Sequence, residues 1–252
     1  MSADRTVIVQ LSDSHLRADE PQRAEQFAAA IKAVTELRPA PVAVLLTGDI
    51  ADNGVRECYE EASELLEAID VPVHVLAGNH DDRATMREVL GAPGDGDAPL
   101  QYAVQAGPVR VIVCDTLIPG HVEGQLDVAW VAERLAEAPT TPTLIAMHHP
   151  PVQIGFDSMD AYGMPSATRG ALEDLLAVHP QVLKIVTGHV HRTASAQLGR
   201  VPVVSAPSVN FQLRLDLEGD SLEVAAEEPP GFLIHVLVDG QLVSHLQPVS
   251  RV

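Results

Sequence analysis

Five polar clusters of metal-ligand residue types each follow a short run of apolar residues. They supply carboxylate, carboxamide and imidazole groups without any thiolate, a set that suits Mn, Fe or Zn better than Cu(I) or an iron–sulfur centre. The clusters are Asp13-Ser14-His15, Gly48-Asp49, Gly78-Asn79-His80-Asp81, His148-His149 and Gly188-His189-Val190-His191. Together they offer too many ligands for one ion, and they fit two ions that share a carboxylate.

The apolar run before each cluster has the length of a β-strand. These runs cover residues 7–11, 42–46, 73–76, 144–147 and 183–186. The carboxyl ends of the strands in an α/β sheet form the ligand crevice, so clusters far apart in the sequence can converge there. Alternate side chains of an extended chain point the same way, so Asp13 and His15 can both reach one ligand cluster, as can His189 and His191. A glycine in three of the clusters allows the tight turn that brings the next ligand close.

Each cluster also has an ordinary structural explanation. A histidine at a strand end is more often a surface or core residue than a ligand, and Gly48-Asp49 alone is a turn signal. Asp81 or Asp82 can cap the helix that is predicted to begin at Arg83. Five such explanations would have to coincide in this order along one chain, so a metal centre is the interpretation that we favour.

Amphipathic segments alternate with the early strands and predict the scaffold. Apolar residues spaced three and four apart predict helices over residues 21–37, 58–69, 83–90, 127–136 and 168–178. Residues 100–104 and 109–113 predict a hairpin, and short strands and turns follow Thr193, with turns at Gly219-Asp220 and Asp239-Gly240. This order predicts an α/β fold whose sheets are covered by helices, in a single domain over residues 1–252.

The composition limits the classes of partner that the protein is expected to bind and the compartment in which it is expected to be found. Thirty-five acidic residues against 16 Lys and Arg give a formal charge of -19, which argues against binding to nucleic acid polymers. No apolar run approaches the ~20 residues that span a bilayer, and the protein is expected to be soluble and not exported. Cys58 and Cys114 are then expected to be reduced thiols of a cytoplasmic protein. The late hairpins offer strand edges that a symmetric homodimer could cover, and six acids within residues 216–228 suggest a solvated hairpin edge.

The ordered series of clusters resembles the calcineurin-like metallophosphoesterase superfamily, from residue 7 to about residue 191. Several runs are also similar to class III cyclic nucleotide phosphodiesterases and their glycerophosphodiesterase relatives. These runs are residues 48–54, the Gly-Asn-His-Asp-Asp run at 78–82, Cys114-Asp115-Thr116, residues 147–151 and Ser205-Ala206-Pro207-Ser208. The resemblance implies a four-layer α/β/β/α sandwich.

The resemblance also implies a role for each polar residue. One metal would be held by Asp13, His15, Asp49 and His191. The other would share Asp49 and be held by Asn79, His148 and His189, with Asn79 also beside the substrate. Of the adjacent His148 and His149, only one can face the ions from an extended segment, and the family pattern selects His148. His149 then either contacts the substrate or is an internally hydrogen-bonded histidine. His80 would face the substrate phosphate as the catalytic residue.

The implied reaction is hydrolysis of a small phosphodiester, with 3',5'-cyclic nucleotides as the expected substrates. Two divalent or mixed-valence ions, Mn or Fe with Zn as the alternative, would activate a bridging hydroxide, and His80 would protonate the leaving alkoxide. The alternatives are a broad-specificity glycerophosphodiesterase or phosphomonoesterase, and a non-catalytic metal-binding module. Asp52 stands where purple acid phosphatases carry a Tyr, and the run Asp52-Asn53-Gly54 lacks the Arg of Ser/Thr protein phosphatases.

The loop over residues 151–165 is expected to lie near the site. Its apolar side chains are Phe156, Met159, Tyr162 and Met164. They either border the substrate pocket, form a dimer seam or build a local core.

Overall fold

Two β-sheets lie face to face in the computed structural model, which describes residues 5–218 and 222–252. In chain order, the elements are β1 (Thr6–Leu11), α1 (Gln22–Thr35), β2 (Ala43–Thr47), α2 (Arg56–Leu66), β3 (Val73–Leu76), α3 (Arg83–Leu90), β4 (Tyr102–Ala106), β5 (Val109–Val113), α4 (Val128–Glu137), β6 (Thr143–Ala146), α5 (Asp157–Asp160), α6 (Ser166–Ala177), β7 (Val182–Thr187), β8 (Ser195–Leu198), β9 (Val201–Ser205), β10 (Gly231–Val238) and β11 (Gln241–Pro248). No described helix is long and apolar enough to cross a membrane.

The strand order places the five polar clusters at the ends of parallel strands. The first sheet has the order β11-β10-β1-β2-β3, in which β1, β2 and β3 are parallel and β10 is antiparallel to β1. The second sheet has the order β4-β5-β6-β7-β9-β8, in which β5, β6, β7 and β9 are parallel. The clusters follow β1, β2 and β3 in one sheet and β6 and β7 in the other.

Alternation along the strands builds three apolar layers. Ile8 of β1 faces the second sheet, whereas Val9 and Leu11 face α1, α2 and α3. Ile145 of β6 packs beneath α4 and α6 on the opposite side of the molecule. The central strands are buried on both faces, which is why they are apolar throughout rather than alternating. The predicted α/β/β/α sandwich is confirmed.

Polar side chains set two of the element boundaries. Asp82 caps α3 by accepting a hydrogen bond from the Thr85 N–H at 2.8 Å, whereas Asp81 is buried and does not cap it. The first hairpin strand begins at Tyr102 rather than residue 100, because the Leu100 N–H donates to the Asp115 carboxylate outside the ladder.

The predicted turn at Asp239-Gly240 is present, with φ of 47° and 77°, the left-handed geometry that suits two-residue hairpins. The predicted turn at Gly219-Asp220 lies outside the described residues.

A chain of hydrogen bonds crosses the space between the two sheets. The Lys184 ammonium donates to Ser244 Oγ at 2.6 Å, and the Ser244 hydroxyl donates to His235 Nδ1 at 2.8 Å. His235 Nε2–H donates to Gln10 Oε1 at 3.1 Å, and Gln10 Nε2 donates to Thr47 Oγ1 at 2.9 Å. Burial, with the charges of Lys184 and His245, lowers the pKa of His235 to about 3. The directions of the two bonds made by the His235 ring therefore follow from its neutral state.

Candidate metal centre

The structure brings all seven sequence-predicted metal ligands together in two groups. In the first group, His15 Nε2 lies 2.9 Å from His191 Nε2 and 3.4 Å from Asp49 Oδ2. His191 Nε2 lies 3.5 Å from Asp13 Oδ1. The four side chains are buried, and their ligand atoms lie close enough to hold one ion.

The second group adjoins the first through Asp49. Asn79 Oδ1 lies 3.2 Å from His148 Nε2 and 3.0 Å from His189 Nδ1. His148 Nε2 is also 3.3 Å from Asp49 Oδ2, the same oxygen that faces His15. Asp49 is thus placed between the two groups, where a bridging ligand would have to lie.

The backbone at the ligands is left-handed, so the predicted extended geometry is wrong. Asp13, His15, Asp49, His189 and His191 have φ values of 57°, 42°, 51°, 72° and 48°. The backbone turns at the end of each strand and is hydrogen-bonded to the adjacent turn. For example, the His15 N–H donates to the Asp49 carbonyl at 2.8 Å. Left-handed backbone costs roughly 1–2 kcal/mol per residue for a side chain with a Cβ, so this arrangement must be held by the surrounding fold.

Gly78 is required for the close approach of two of these turns. A Cβ at this position would collide with the backbone N and the carboxylate of Asp49. Gly48 is required for two reasons, because a Cβ there would collide with His148 and Gly78 and because its φ of 88° belongs to the left-handed region.

Three histidines are oriented by hydrogen bonds on their outer nitrogens. Nδ1 of His15 lies 2.8 Å from Asp52 Oδ1, Nδ1 of His148 lies 2.8 Å from the Thr47 carbonyl, and Nδ1 of His191 lies 2.9 Å from the Phe211 carbonyl. Each Nδ1–H donates to an acceptor, so each Nε2 of a neutral ring presents a lone pair to the centre.

His189 differs in using Nδ1 on the inner side. Its Nε2 is buried and has no hydrogen-bond partner among residues 5–218 and 222–252.

The donor set fits divalent cations, because lone pairs face one another across the centre. Without a cation, the charge of Asp49 outweighs the opposing effect of burial and raises the pKa of His148 to about 9. The pKa of His15 is also raised: burial opposes protonation, but the hydrogen bond to Asp52 and the nearby carboxylates outweigh it. Burial opposes ionisation of Asp49, but His148 and His15 hold its pKa well below the usual range. The site therefore stabilises positive charge.

His80 lies at the open side of the same centre. Its side chain is 39% exposed, its ring packs edge-on against His15 with centroids 4.8 Å apart, and it lines a cavity of about 230 Å³ in front of the ligands. Its Nδ1–H donates to the Asp52 carbonyl at 2.7 Å, and its backbone N–H donates to Asp49 Oδ1 at 2.9 Å. These bonds fix the ring and leave Nε2 for a substrate.

The structure does not support His149 as a substrate-binding residue. The side chain is fully buried, Nε2–H donates to the Val122 carbonyl at 3.0 Å, and Nδ1 accepts from the Thr116 hydroxyl at 2.8 Å. Burial, with the charge of His148, lowers its pKa to about 3, so the ring is neutral. Of the two roles predicted for His149, the internally hydrogen-bonded one matches this geometry.

Sequence reasoning missed the residues that orient the ligands. Asp52 was noted only for what it replaces in other families, although its spacing of three from Asp49 places it on the same turn. The carbonyl of Phe211 could not have been found, because any residue supplies a carbonyl and Phe211 lies outside the five clusters.

A family model described as calcineurin-like phosphoesterase matches residues 6–193. The chain belongs to this family. The calcineurin-like phosphoesterase fold and the ligand geometry make it a metal-dependent phosphoesterase. A probable glycerophosphodiester phosphodiesterase of Arcobacter nitrofigilis is 30% identical over 97% of this chain and 94% of its own. The 3',5'-cyclic adenosine monophosphate phosphodiesterase of Pseudomonas aeruginosa is 30% identical over 98% of this chain and 91% of its own.

A solved structure shares the fold. Purple acid phosphatase from yellow lupin seeds superposes with a TM-score of 0.74 at 14% identity, over 98% of this chain. This chain spans about half (52%) of the lupin chain. The match at this identity concerns the architecture alone.

Proposed function

We propose that this phosphoesterase hydrolyses small phosphodiesters and that 3',5'-cyclic nucleotides are its substrates. The observation that carries the proposal is the position of Asp49, whose Oδ2 faces both ligand groups directly beside His80. The names of relatives such as the Pseudomonas enzyme, which covers nearly the whole chain, support the cyclic nucleotide as substrate.

The seven ligands would hold two divalent cations. Asp13, His15, Asp49 and His191 would hold one, and Asn79, His148 and His189 would hold the other together with Asp49. When bound, two such cations neutralise the phosphate charge and lower the pKa of a water that attacks phosphorus. The oxygen and nitrogen donors favour Mn or Fe, and Zn also fits.

The contribution of His80 follows from its hydrogen bonds. Because Nδ1–H is bonded to the Asp52 carbonyl, a proton on Nε2 makes the ring an imidazolium, with the Asp52 carboxylate 3.7 Å from Nδ1 to stabilise the charge. The Nε2–H can then bind a phosphate oxygen and pass its proton to the departing alkoxide.

The remaining expectations about partners and location stay proposals. Both cysteines are free and buried, which supports a cytoplasmic protein. The strongly negative charge disfavours nucleic acid polymers. Val243 and Leu246 are exposed on the edge strand β11 and support a homodimer. Light scattering at micromolar concentration tests the dimer, and a monomer there would exclude it.

Glycerophosphodiesters are the second candidate substrates, because the Arcobacter relative carries that activity in its name. The test compares turnover of cyclic AMP, glycerophosphoethanolamine and glycerol 3-phosphate by protein supplied with Mn²⁺. Cyclic AMP should be turned over fastest. A faster monoester would overturn the diesterase proposal, and no turnover of any of the three would favour a non-catalytic module.

The dinuclear assignment is tested separately with Asp49→Ala. This variant should lose most activity with little change in secondary structure. If it keeps full turnover and two bound metals per chain, the assignment is wrong.

A further inference from the structure

The cavity in front of the metal centre has one polar side and one apolar side. The ligands, His80 and Asp52 form the polar side. The rest of the lining forms an apolar wall of aliphatic and aromatic side chains: Val122, Met159, Tyr162, Phe211, Leu213 and Leu222. A phosphodiester bound at the metals would therefore direct one substituent onto an apolar surface.

A small apolar core and two hydrogen bonds hold this wall in place. Met159 and Leu213 are buried and pack with Phe156 and Val190 in a small core of their own. The Asp160 carboxylate accepts hydrogen bonds from the Ile154 and Gly155 N–H groups at 2.8 and 2.9 Å, which closes the loop that carries Met159. The local core and the pocket border that the sequence offered as alternatives are thus both present, and Met159 belongs to both.

Besides the histidines, Phe211 and Tyr162 line the cavity with aromatic rings. Only the ring of Tyr162 is available for stacking with a substrate. The Phe211 ring lies 4.6 Å from the His191 ring and 5.5 Å from the His15 ring, and the Arg23 guanidinium lies 5.2 Å from its centroid. Tyr162 lines the cavity and has 37% of its surface exposed. Within the described part of the chain, its ring makes no ring contact and its hydroxyl makes no hydrogen bond.

We propose that Tyr162, backed by Met159, binds the base of a nucleotide substrate by stacking. Aromatic side chains bind bases of any sequence by contact with the ring face, and a methionine sulfur adds favourable contacts to aromatic rings. A glycerol or ethanolamine substituent has no ring to stack, so the wall distinguishes the two substrate classes named for the relatives. This inference rests on the proposed phosphodiesterase function and assigns the specificity within it.

The test compares Tyr162→Ala with Tyr162→Phe on two substrates. Tyr162→Ala should raise KM for cyclic AMP about tenfold with kcat nearly unchanged, because stacking adds binding far from the reacting bond. KM for glycerophosphoethanolamine should stay within twofold, and Tyr162→Phe should behave as wild type on both. Val178→Ala, an exposed apolar position at the end of α6, is the matched surface control. An equal rise in KM for both substrates, or none for cyclic AMP, would overturn the proposal.

A binding measurement separates this proposal from the proposed function. Cyclic AMP is titrated calorimetrically into Mn²⁺-loaded His80→Ala protein and into the same protein with Tyr162→Ala. A tenfold lower affinity for cyclic AMP in the protein that also carries Tyr162→Ala supports the base site. This holds even if the wild type hydrolyses nothing, and in that case only the proposed phosphodiesterase function is rejected. Equal Kd values, or no binding by either protein, would reject the base site.

Discussion

Asp52 connects the metal centre to the charges around it. Its Oδ1 accepts from His15 Nδ1–H and its Oδ2 from Arg17 Nη1 at 3.1 Å, while Arg23 lies 3.7 Å away. The hydrogen bond from His15 is the main cause that lowers the pKa of Asp52 to about 2. Asp52 is thus ionised at any working pH, and its charge fixes the tautomer in which His15 Nε2 faces the centre.

Replacing Asp52 should therefore weaken metal binding without removing a ligand. We expect Asp52→Asn to lower the affinity of the first group for Mn²⁺ about 10–100-fold, because the partner of a metal-binding histidine orients the ring and raises its basicity. Calorimetric titration with Mn²⁺ measures this. Asp19→Asn is the control, since Asp19 also pairs with Arg17 but is largely exposed and makes no contact with His15. An unchanged affinity in Asp52→Asn would contradict the role given to Asp52.

His80 should affect turnover and leave the metals in place. We expect His80→Ala to lower kcat by roughly 10²–10⁴ on a diester with a poor leaving group, because the alkoxide then departs without a positioned proton donor. The loss should shrink for a p-nitrophenyl ester, whose leaving group needs no proton. Elemental analysis should find the wild-type metal content. Loss of a metal from this variant would instead make His80 a ligand.

At the scale of elements, the site depends on turns that touch each other. The Asp81 carboxylate accepts from the Ile50 and Ala51 N–H groups at 3.1 and 3.2 Å and from the Gly78 N–H at 2.9 Å. The Tyr59 hydroxyl of α2 adds a fourth bond at 2.9 Å. The turn after β2 is thereby held against the turn after β3, which brings Asp49 beside Asn79.

Gly78→Ala should separate those two turns. The added Cβ meets backbone and carboxylate atoms of Asp49, so we expect loss of metal binding and activity together with a lower melting temperature. Gly170→Ala is the matched control: Gly170 lies inside α6 with nothing within 4 Å of its Cβ, so the change should raise stability by about 0.5–1 kcal/mol at full activity. Thermal melts and Mn²⁺ content distinguish them. A Gly78→Ala protein that binds two metals would show that the turns can move apart.

The sequence predicted the elements well and the local geometry of the predicted ligands poorly. The core strands could be placed because apolar runs such as residues 183–186 end at recognisable ligand clusters. The left-handed backbone at Asp13 and His191 could not be predicted, because nothing in an Asp-Ser-His or His-Val-His run shows that the chain curls there. The partners of His15 and His191 were missed for a related reason: they come from Asp52 and a carbonyl at residue 211, and both depend on tertiary packing.

For the whole molecule, the metal centre joins the two sheets. Asp13, Asp49 and Asn79 follow strands of the first sheet, whereas His148 and His189 follow strands of the second. Ions held between these ligands would bind the folded state and not the separated ligands of the unfolded chain.

Chelation should therefore lower the melting temperature. At metal concentrations about 100 times Kd, each site contributes about 2.7 kcal/mol, which corresponds to roughly 5–10 °C for a chain of this size. Calorimetric scans before and after treatment with EDTA measure the difference. The melting temperature of the Asp49→Ala protein should change much less on addition of EDTA. If EDTA leaves the wild-type melting temperature unchanged, the result would argue against ions between the sheets.

The hydrogen-bonded chain between the sheets should make stability depend on pH through His235. This ring titrates near 6.5 when unfolded and at about 3 when folded, so the unfolded state binds more protons between these values and stability falls as the pH falls below 6.5. His235→Gln should lose about 2 kcal/mol less than wild type between pH 7 and pH 5 in urea unfolding. His121→Gln, at an exposed position, should retain the full loss. Equal losses in wild type and His235→Gln would show that His235 is not neutral when buried.

Because β10 lies late in the sequence, the metal ligands are synthesised before the first sheet can be completed. Every ligand of the metal centre has been made once His191 is added, yet β10, which covers one side of β1, ends only at Val238. At roughly 5–20 residues per second, several seconds pass between these two events. Through that interval the nascent chain carries a complete ligand set beside an open strand edge, the feature by which unfinished sheets associate with other chains.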